Sequence, residues 1–429
     1  MDEEYDVIIM GTGLKECILS GLLCVAGKKV LQVDRNDYYG SESASLDLEK
    51  LFAQHSDEKP DFEVLGRNKD YNVDLTPKFL MACGDLIKVL LHTKVTHYLQ
   101  FKSVAGSFVY KDGRVHKVPA TPSEALNSKL MGIFQKRRFK NFLQFAEKVD
   151  KNDRNTWAGH DLTQVTMRQL FAHYKCDDNT VAFTGHAIAL HLDDSYLDDP
   201  AQTLPTIAAL QMYAYSVARY GKSPYIYPVW GLAMLPESFS RLAAIHGGTF
   251  MLRTPVDEVL YENGKAVGIK SEGKTARATQ VLGDPTYFKG TDKIKASGQV
   301  ARWLFLLDRP IEGTDGVDSC QVIIPARQTG RNSDIYVSVV SGSHEVCPRG
   351  RFLAMISAKV ETANPKQELS VAARLLPPAI KDFFWVCEQL EPTNVDVEDN
   401  VFITKSYDAS SHFQSATEEV CPSLSAFAY

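Results

Sequence analysis

A glycine-rich turn near the start of the chain has residue types that can hold a phosphate group. Gly11, Thr12 and Gly13 follow the apolar run 6–10, and a helical pattern begins directly after them. Such a turn points backbone N–H groups and the positive end of a helix at an anion. Asp34 lies about 20 residues further on, which is the usual offset of an acid that binds a ribose. These residues predict a dinucleotide-binding type of turn.

The third glycine of the motif is replaced by Glu16. A carboxylate in the first helical turn is favoured by the helix dipole, but it repels a phosphate at the same helix end. The degenerate motif of Gly11, Gly13 and Glu16 therefore predicts the fold without its cofactor, and we expect no bound FAD or NAD.

The surrounding sequence predicts the elements that position this turn. Apolar residues recur from Leu14 to Val25 with helical spacing, and a second strand spans 29–34. Together with the strand at 6–10, they form a βαβ unit. Asp112-Gly113 and Asn263-Gly264 each lie between short β-type runs and predict hairpins.

The middle and the last part of the chain differ in the secondary structure that their patterns predict. Helical patterns cover 122–133, 137–149, 166–175, 178–191 and 204–220, and strand patterns cover 301–307, 321–324, 334–340, 352–360 and 401–407. We predict a mixed α/β fold, in which a flavoprotein-like domain I (1–120 and 221–429) carries an inserted all-helical domain II (121–220).

Composition narrows the function. The 429 residues include 47 Lys and Arg against 53 Asp and Glu, a net charge of −6, which argues against a general nucleic-acid binder. The acidic start, the short apolar runs and the lack of a prenylation cysteine near the end predict a cytosolic protein without its own lipid. No metal or nucleophile motif is present, so we expect no catalytic residue and no metal.

The basic run 136–140 is either a solvated helix start or a contact with a membrane surface or an acidic partner.

Several longer segments can be compared with known families, and they occur in order along nearly the whole chain: 5–21, 34–40, 72–81, 106–110, 136–139, 183–187, 218–225, 319–325, 332–336 and 406–409. Together they resemble one family, the Rab GDP dissociation inhibitors and Rab escort proteins. The dissociation inhibitors are the closer resemblance. It implies a flavoprotein-like fold without flavin and a regulatory rather than enzymatic activity.

The resemblance also implies partners. We expect a monomer that binds prenylated Rab GTPases in the GDP state, inhibits GDP release, extracts them from membranes and returns them through the cytosol. Geranylgeranyl lipid and transient membrane contact are then expected, and nucleic acid is not.

Matching positions carry the family's binding residues. The Rab-binding platform contains Tyr39, Arg241 and Met251, together with Met234, where the family usually has glutamate. The mobile effector loop comprises Arg219, Tyr220, Gly221, Lys222 and Ser223. The region that receives the Rab C-terminus contains Phe79, Leu80, Leu90, Val95 and Tyr98. Candidates for the prenyl pocket in domain II are Leu130, Phe134, Phe142, Phe145, Ile188 and Met212, for which ordinary core packing is the alternative.

Two other functions stay open at this point. A Rab escort protein presents new Rabs to the prenyltransferase, although escort proteins tend to be longer than this chain. A flavin-dependent oxidoreductase is compatible with the βαβ unit and Asp34, whereas Glu16 and the missing catalytic constellation argue against it.

Overall fold

The computed structural model describes residues 4–119, 124, 132–393, 399–417 and 419. Its α-helices are α1 (Leu14–Val25), α2 (Leu48–His55), α3 (Phe62–Leu65), α4 (Asp85–His92), α5 (Ile133–Lys148), α6 (Met167–His173), α7 (Asp178–Ala182), α8 (Thr203–Tyr220), α9 (Met234–Ile245), α10 (Pro365–Glu368) and α11 (Ser370–Ala373).

The strands are β1 (Glu4–Met10), β2 (Val30–Val33), β3 (Ser45–Leu46), β4 (Val73–Asp74), β5 (Leu80–Met81), β6 (Phe101–Ser103), β7 (Gly106–Lys111), β8 (Arg114–Lys117), β9 (Tyr225–Pro228), β10 (Thr249–Met251), β11 (Glu258–Glu262), β12 (Lys265–Ser271), β13 (Lys274–Gly283), β14 (Ile294–Leu307), β15 (Cys320–Ile324), β16 (Ile335–Ser341), β17 (Phe352–Lys359), β18 (Lys381–Pro392) and β19 (Val401–Ile403).

The first sheet contains the predicted βαβ unit. Its order is β10-β2-β1-β13-β12-β11, and β19 also pairs with β13. Strands β10, β2, β1 and β13 run parallel, so their carboxyl ends meet at one edge. Helix α1 crosses from β1 to β2 and is buried along nearly its whole length. Helix α9 packs closely on α1 at Gly21, where an added Cβ would lie 3.2 Å from the ring of Phe239.

The second sheet is mainly antiparallel, in the order β18-β14-β17-β16-β15-β7-β8. Only the β15–β7 pair in this order is parallel. A small sheet of β5, β9 and β6 joins the end of helix α8 to the first part of the chain.

Several local predictions are confirmed. The turns at Asp112-Gly113 and Asn263-Gly264 join β7 to β8 and β11 to β12. Strands β14 to β17 and β19 overlap the predicted late strands, and α5, α6 and α8 overlap the predicted helices. The helix predicted at 122–133 lies almost entirely outside the described residues.

The predicted helix 178–191 has an unexpected form. Helix α7 continues into a π-helix, Phe183–Ile188, whose wider turn accommodates a neighbouring ring. The Tyr196 hydroxyl approaches Gly185 so closely that an added Cβ would lie 2.0 Å from its oxygen. The division of the chain into domains I and II stays a prediction.

Among the described residues, no helix combines the length and the apolar character that crossing a membrane requires. Within the same residues, no cluster of His, Cys, Asp or Glu side chains is suited to holding a metal ion.

Candidate functional site

The glycine turn after β1 is closed by the protein's own carboxylate. Gly11 has a φ of +105°, which favours glycine, and Gly13 is the N-cap of α1. A Cβ added to Gly13 would lie only 2.4 Å from Oε2 of Glu16, so this carboxylate folds back over the helix start. Thr404 Oγ1 donates a hydrogen bond of 2.6 Å to Glu16 Oε1. The carboxylate therefore lies where a dinucleotide phosphate would need to approach the helix.

Two further acids make this region unsuitable for a phosphate. Burial, followed by the charge of Asp284, raises the pKa of Glu16 to about 7. The same two causes raise the pKa of Glu42 to about 7. Burial also raises the pKa of Asp284. A pyrophosphate placed among these carboxyl groups would either be repelled by their charges or force them to take up protons, and both effects disfavour its binding.

The carboxylate of Asp34, the candidate ribose-binding residue, already accepts hydrogen bonds from neighbouring residues of the protein. Its Oδ2 accepts hydrogen bonds from the backbone N–H of Thr12 at 2.8 Å and from Thr12 Oγ1 at 2.6 Å. Ser41 Oγ donates to the same oxygen at 3.0 Å, and the backbone N–H of Asn36 donates to Oδ1 at 2.8 Å. The side chain is fully buried. It stabilises the loop after β2 rather than presenting an acceptor to a ligand, so these residues do not fit FAD or NAD.

The loop that Asp34 stabilises presents Tyr39. Gly40 follows with a φ of +110°, and an added Cβ would lie 2.6 Å from the Cα of Ala44, so only glycine fits there. Its N–H donates to the carbonyl of Thr12 at 2.9 Å. Tyr39 is half-buried, and its ring centroid lies 6.4 Å from that of Phe250.

Met251 lies at the same edge of the first sheet. It pairs with Val33 of β2, and its carbonyl accepts a hydrogen bond of 2.9 Å from the N–H of Asp34. Its side chain is 36% exposed. A side chain this exposed is compatible with a surface role and is not part of the core.

Helix α9 carries the other two residues that the sequence predicted for the platform. Met234 is its first residue and packs partly against the core, whereas Arg241 is exposed. The Arg241 guanidinium carbon lies 4.5 Å from the ring centroid of Tyr98. Tyr98 belongs to the predicted Rab C-terminus region, so this cation–π contact joins two regions that the sequence predicted separately.

The predicted effector loop forms the end of α8 and the turn after it. Arg219 and Tyr220 are the last helical residues and are exposed. Gly221 ends the helix with a φ of +73°, and its N–H donates to the carbonyl of Val217 at 2.7 Å. Lys222 is exposed, but Ser223 is buried and donates from Oγ to the carbonyl of Val104 at 2.6 Å. Ser223 thus anchors the turn, while the other four residues face solvent.

The residues predicted to receive the Rab C-terminus are mostly internal. Phe79, Leu80, Leu90 and Val95 are buried in the main core, and Tyr98 is half-buried. These four buried side chains lie beneath the protein surface and do not form part of it. The accessible apolar side chain of α4 is Leu91, which is 57% exposed and was not among the predicted residues.

The predicted lipid-pocket residues also differ from one another. Phe142, Phe145 and Ile188 are buried, and Met212 is half-buried. The rings of Phe142 and Phe145 pack against Tyr174 with centroids 5.6 and 5.4 Å apart. Phe134 is 81% exposed at the start of α5. Leu130 lies outside the described residues.

One acid of α9 near the predicted platform was not among the predicted residues. Glu237 is exposed, and its charge is among the causes that raise the pKa of Tyr39, after burial. The only sequence signal was its position one turn after Met234, because nothing in the sequence showed that Tyr39 lies nearby.

Comparisons with known proteins agree on one family. A family model described as GDP dissociation inhibitor matches residues 1–425. The chain is 48% identical over 423 residues to a probable secretory pathway GDP dissociation inhibitor 1 of Schizosaccharomyces pombe, covering 98% of this chain and 95% of that relative. It superposes on the crystal structure of a Rab GDI from Plasmodium falciparum with a TM-score of 0.93 and 44% identity, over 98% of this chain and 97% of that one.

A more distant structure shares the fold alone. An oxidoreductase of Methanosarcina mazei superposes with a TM-score of 0.62 at 14% identity, over 99% of this chain and 100% of that one. The fold and the closed glycine turn thus define a flavoprotein-type scaffold whose dinucleotide position is taken by the protein's own acids. The chain belongs to the GDP dissociation inhibitor family.

Proposed function

We propose that this chain binds Rab GTPases in the GDP state, slows GDP release and carries their geranylgeranylated form through the cytosol as a monomer. The observation that carries the proposal is the similarity to the Plasmodium falciparum Rab GDI, which extends over 98% of the chain. The closed glycine turn supports a binding role over flavin chemistry, because Glu16 and Asp34 leave no place for the cofactor.

The proposed contact surface for the GTPase is the platform of Tyr39, Met234, Arg241 and Met251. Tyr39 and Met251 lie at the carboxyl edge of the parallel strands, and Arg241 is held over Tyr98. Aromatic and arginine side chains that are partly buried and fixed by neighbours are frequent hot spots in protein interfaces. Rigid support from β2, β10 and α9 lowers the entropy that binding would otherwise cost.

Preference for GDP follows from the partner. The γ-phosphate orders the switch segments of a GTPase, and its loss relaxes them. A surface that matches the relaxed switches gains affinity only for the GDP form. No nucleotide site is needed in this chain.

Release from a membrane requires an apolar site for the lipid. Each buried methylene contributes about 0.8 kcal/mol to membrane anchoring, so a soluble carrier has to replace that environment. We propose that domain II (121–220) supplies the site, with Leu130, Phe134, Phe142, Phe145, Ile188 and Met212 as lining candidates. Phe142 and Phe145 are now packed against Tyr174, so the helices would separate when lipid binds.

Two neighbouring segments complete the proposal. We assign the mobile effector loop to Arg219, Tyr220, Gly221, Lys222 and Ser223, of which Ser223 is the buried anchor. The Rab C-terminus would pass over the surface near Tyr98, supported by Phe79, Leu80, Leu90 and Val95 beneath it.

Inhibition of GDP release tests this function directly. A geranylgeranylated Rab loaded with fluorescent GDP is mixed with excess unlabelled GDP, with and without the protein, and the loss of fluorescence is followed. The proposal expects slower release that saturates with protein concentration. Unchanged release, together with support of Rab prenylation by the transferase, would instead favour an escort protein.

A further inference from the structure

His186 lies inside the π-helix Phe183–Ile188, between two carboxylates. Its Nδ1 is 2.8 Å from Oδ2 of Asp334, and its Nε2 is 3.1 Å from Oδ1 of Asp194. The side chains of His186 and Asp334 are 5% and 0% exposed. Breaking a buried ion pair is costly, because it leaves an uncompensated charge behind. The ring is therefore firmly held in its place.

This cluster joins the helical middle of the chain to the second sheet. Asp334 directly precedes β16, and its Oδ1 accepts the N–H of Ala326, just after β15, at 2.8 Å. Arg327 follows in the same loop, and its Nη2 donates to Oδ2 of Asp194 at 3.1 Å. Two charged groups of the sheet thus bind two charged groups of the helical part.

Aromatic packing holds the same segment from another side. The Tyr196 hydroxyl lies against Gly185, where an added Cβ would be 2.0 Å from its oxygen. The His191 ring stacks on Tyr196 with centroids 3.9 Å apart, and its Nε2 lies 2.9 Å from Oγ1 of Thr206 on α8. Ion pairs and close ring contacts therefore both oppose a displacement of the π-helix.

The contacts between the π-helix and the first half of α5 are of another kind. Phe139 of α5 faces Phe183 with ring centroids 6.0 Å apart. Gln135 and Arg138 each make a hydrogen bond of 3.4 Å to the backbone of 175–177, which is at the long limit of such bonds. Separating these groups leaves no buried charge unpaired. This side of the π-helix should therefore open more easily than the side facing the sheet.

We propose that His186 fixes the π-helical segment 183–188 as the stationary wall of the lipid site, so that lipid enters by displacing α5. The inference rests on the proposed function, in which Ile188 of this segment is a lining candidate. His186 is then a positioning residue, because it holds the backbone that carries Ile188 without touching the lipid. The charged groups of Asp194, Arg327 and Asp334 act through it.

Binding of GDP-loaded Rab with and without its geranylgeranyl groups tests the role of His186. In His186→Gln the wall has to be ordered when lipid binds, so affinity for the geranylgeranylated form should fall about tenfold. Affinity for the unprenylated form should stay unchanged, which a general loss of structure would not produce. Asp194→Asn, at a half-buried position, should act in the same direction by a smaller factor.

The matched control is Asp198→Asn. Asp198 also pairs with a cation, Arg168, at 2.6 Å, but both side chains are exposed and lie within the helical part. This variant should bind both forms of Rab as wild type does. Equal loss for the two forms in His186→Gln, or no loss in either the His186 or the Asp194 variant, would overturn the role of His186.

Amide hydrogen exchange of the wild-type protein tests which element moves. Exchange in the complex with geranylgeranylated Rab is compared with exchange in the complex with unprenylated Rab. The lipid should change the exchange of α5 and leave that of 183–188 as it was. A larger change in 183–188 than in α5 would overturn the proposal while leaving the proposed function intact, whereas a wild type that binds neither form of Rab would overturn both.

Discussion

Thr404 Oγ1 holds the Glu16 carboxylate at 2.6 Å, directly over the start of α1. Strand β19 ends just before Thr404, and it pairs with β13 in the same sheet that begins with β1. The end of the chain thus fixes the residue that closes the glycine turn near its beginning. Closure of the glycine turn therefore depends on the tertiary fold, although the replacement of the third glycine by Glu16 is visible in one short motif.

This relationship predicts a pH dependence of stability. The pKa of Glu16 is about 7 in the folded protein and ordinary when unfolded, so the folded state binds more protons between about pH 4.5 and 7. The Glu16 contribution to the free energy of unfolding therefore falls as pH rises through this range. The free energy of unfolding of Glu16→Gln, relative to that of wild type, should therefore increase by on the order of 2–3 kcal/mol between about pH 4.5 and 8. Urea unfolding at several pH values measures the difference, and parallel profiles would contradict the prediction.

His186 predicts a second pH dependence of stability, in a different pH range. Its Nδ1 lies 2.8 Å from Oδ2 of Asp334, and its Nε2 lies 3.1 Å from Oδ1 of Asp194. Burial alone would lower the pKa of His186, but the hydrogen bond to Asp194 and the interactions with Asp334 raise it to about 10. The resulting stability is complete below about pH 6.5 and is lost as pH rises through about 10.

Replacement of His186 tests that ion pair. His186→Gln leaves the buried Asp334 without its cation and should cost about 3–5 kcal/mol near pH 6. The loss should shrink at higher pH, because the wild-type histidine is then neutral as well. A loss that stays constant from pH 6 to the alkaline limit of folding would contradict the assignment.

A buried lysine stabilises the segment 408–412. Lys78 Nζ donates to Oδ1 of Asp408 and to the carbonyl of Ser410, both at 2.6 Å. Burial would raise the pKa of Asp408, but the charge of Lys78 holds it well below its usual range. Lys78→Met should lower the free energy of unfolding by about 3–5 kcal/mol, since an unpaired acid is left behind.

Chemical denaturation of the Lys78→Met/Asp408→Asn double variant supplies the control. Removing both charges should recover part of the loss, because no isolated charge remains. Strict additivity of the two single losses would show that the pair does not act as a unit.

Gly40 offers a test of platform geometry. Gly40→Ala would force a Cβ to 2.6 Å from Ala44 at a φ of +110°, which should displace Tyr39 and cost about 1–3 kcal/mol. Gly27→Ala is the matched control, because Gly27 also has positive φ (+81°) but no neighbour within 4 Å of an added Cβ. We expect only Gly40→Ala to weaken Rab binding in a titration, and equal binding by the two variants would argue against Tyr39 as a contact.

Local signals explain which features the sequence predicted. The βαβ unit and both hairpins depend on residues close together in the chain, and their patterns are sufficient. Strand β18 was missed because Phe383, Phe384, Trp385 and Val386 form a continuous apolar run without alternation. The sequence likewise did not reveal that Phe79 is covered, because its neighbours Tyr225 and His412 are distant in the chain.

The platform shows the same limit at the level of function. Tyr39, Arg241 and Met251 were predicted from family resemblance alone, because no local pattern connects a loop after β2 with α9. Tertiary contacts of Cys17 with Thr12 and Ser240 join these two segments, which lie far apart in the sequence.

Membrane extraction is the most direct measurement of the central claim. Membranes bearing a geranylgeranylated Rab, loaded with GDP or with a non-hydrolysable GTP analogue, are incubated with the protein and sedimented. Rab should appear in the supernatant from the GDP-loaded membranes alone, and Tyr39→Ala and Arg241→Ala should reduce its release. Failure to release Rab in either nucleotide state, or equal release in both, would contradict the account.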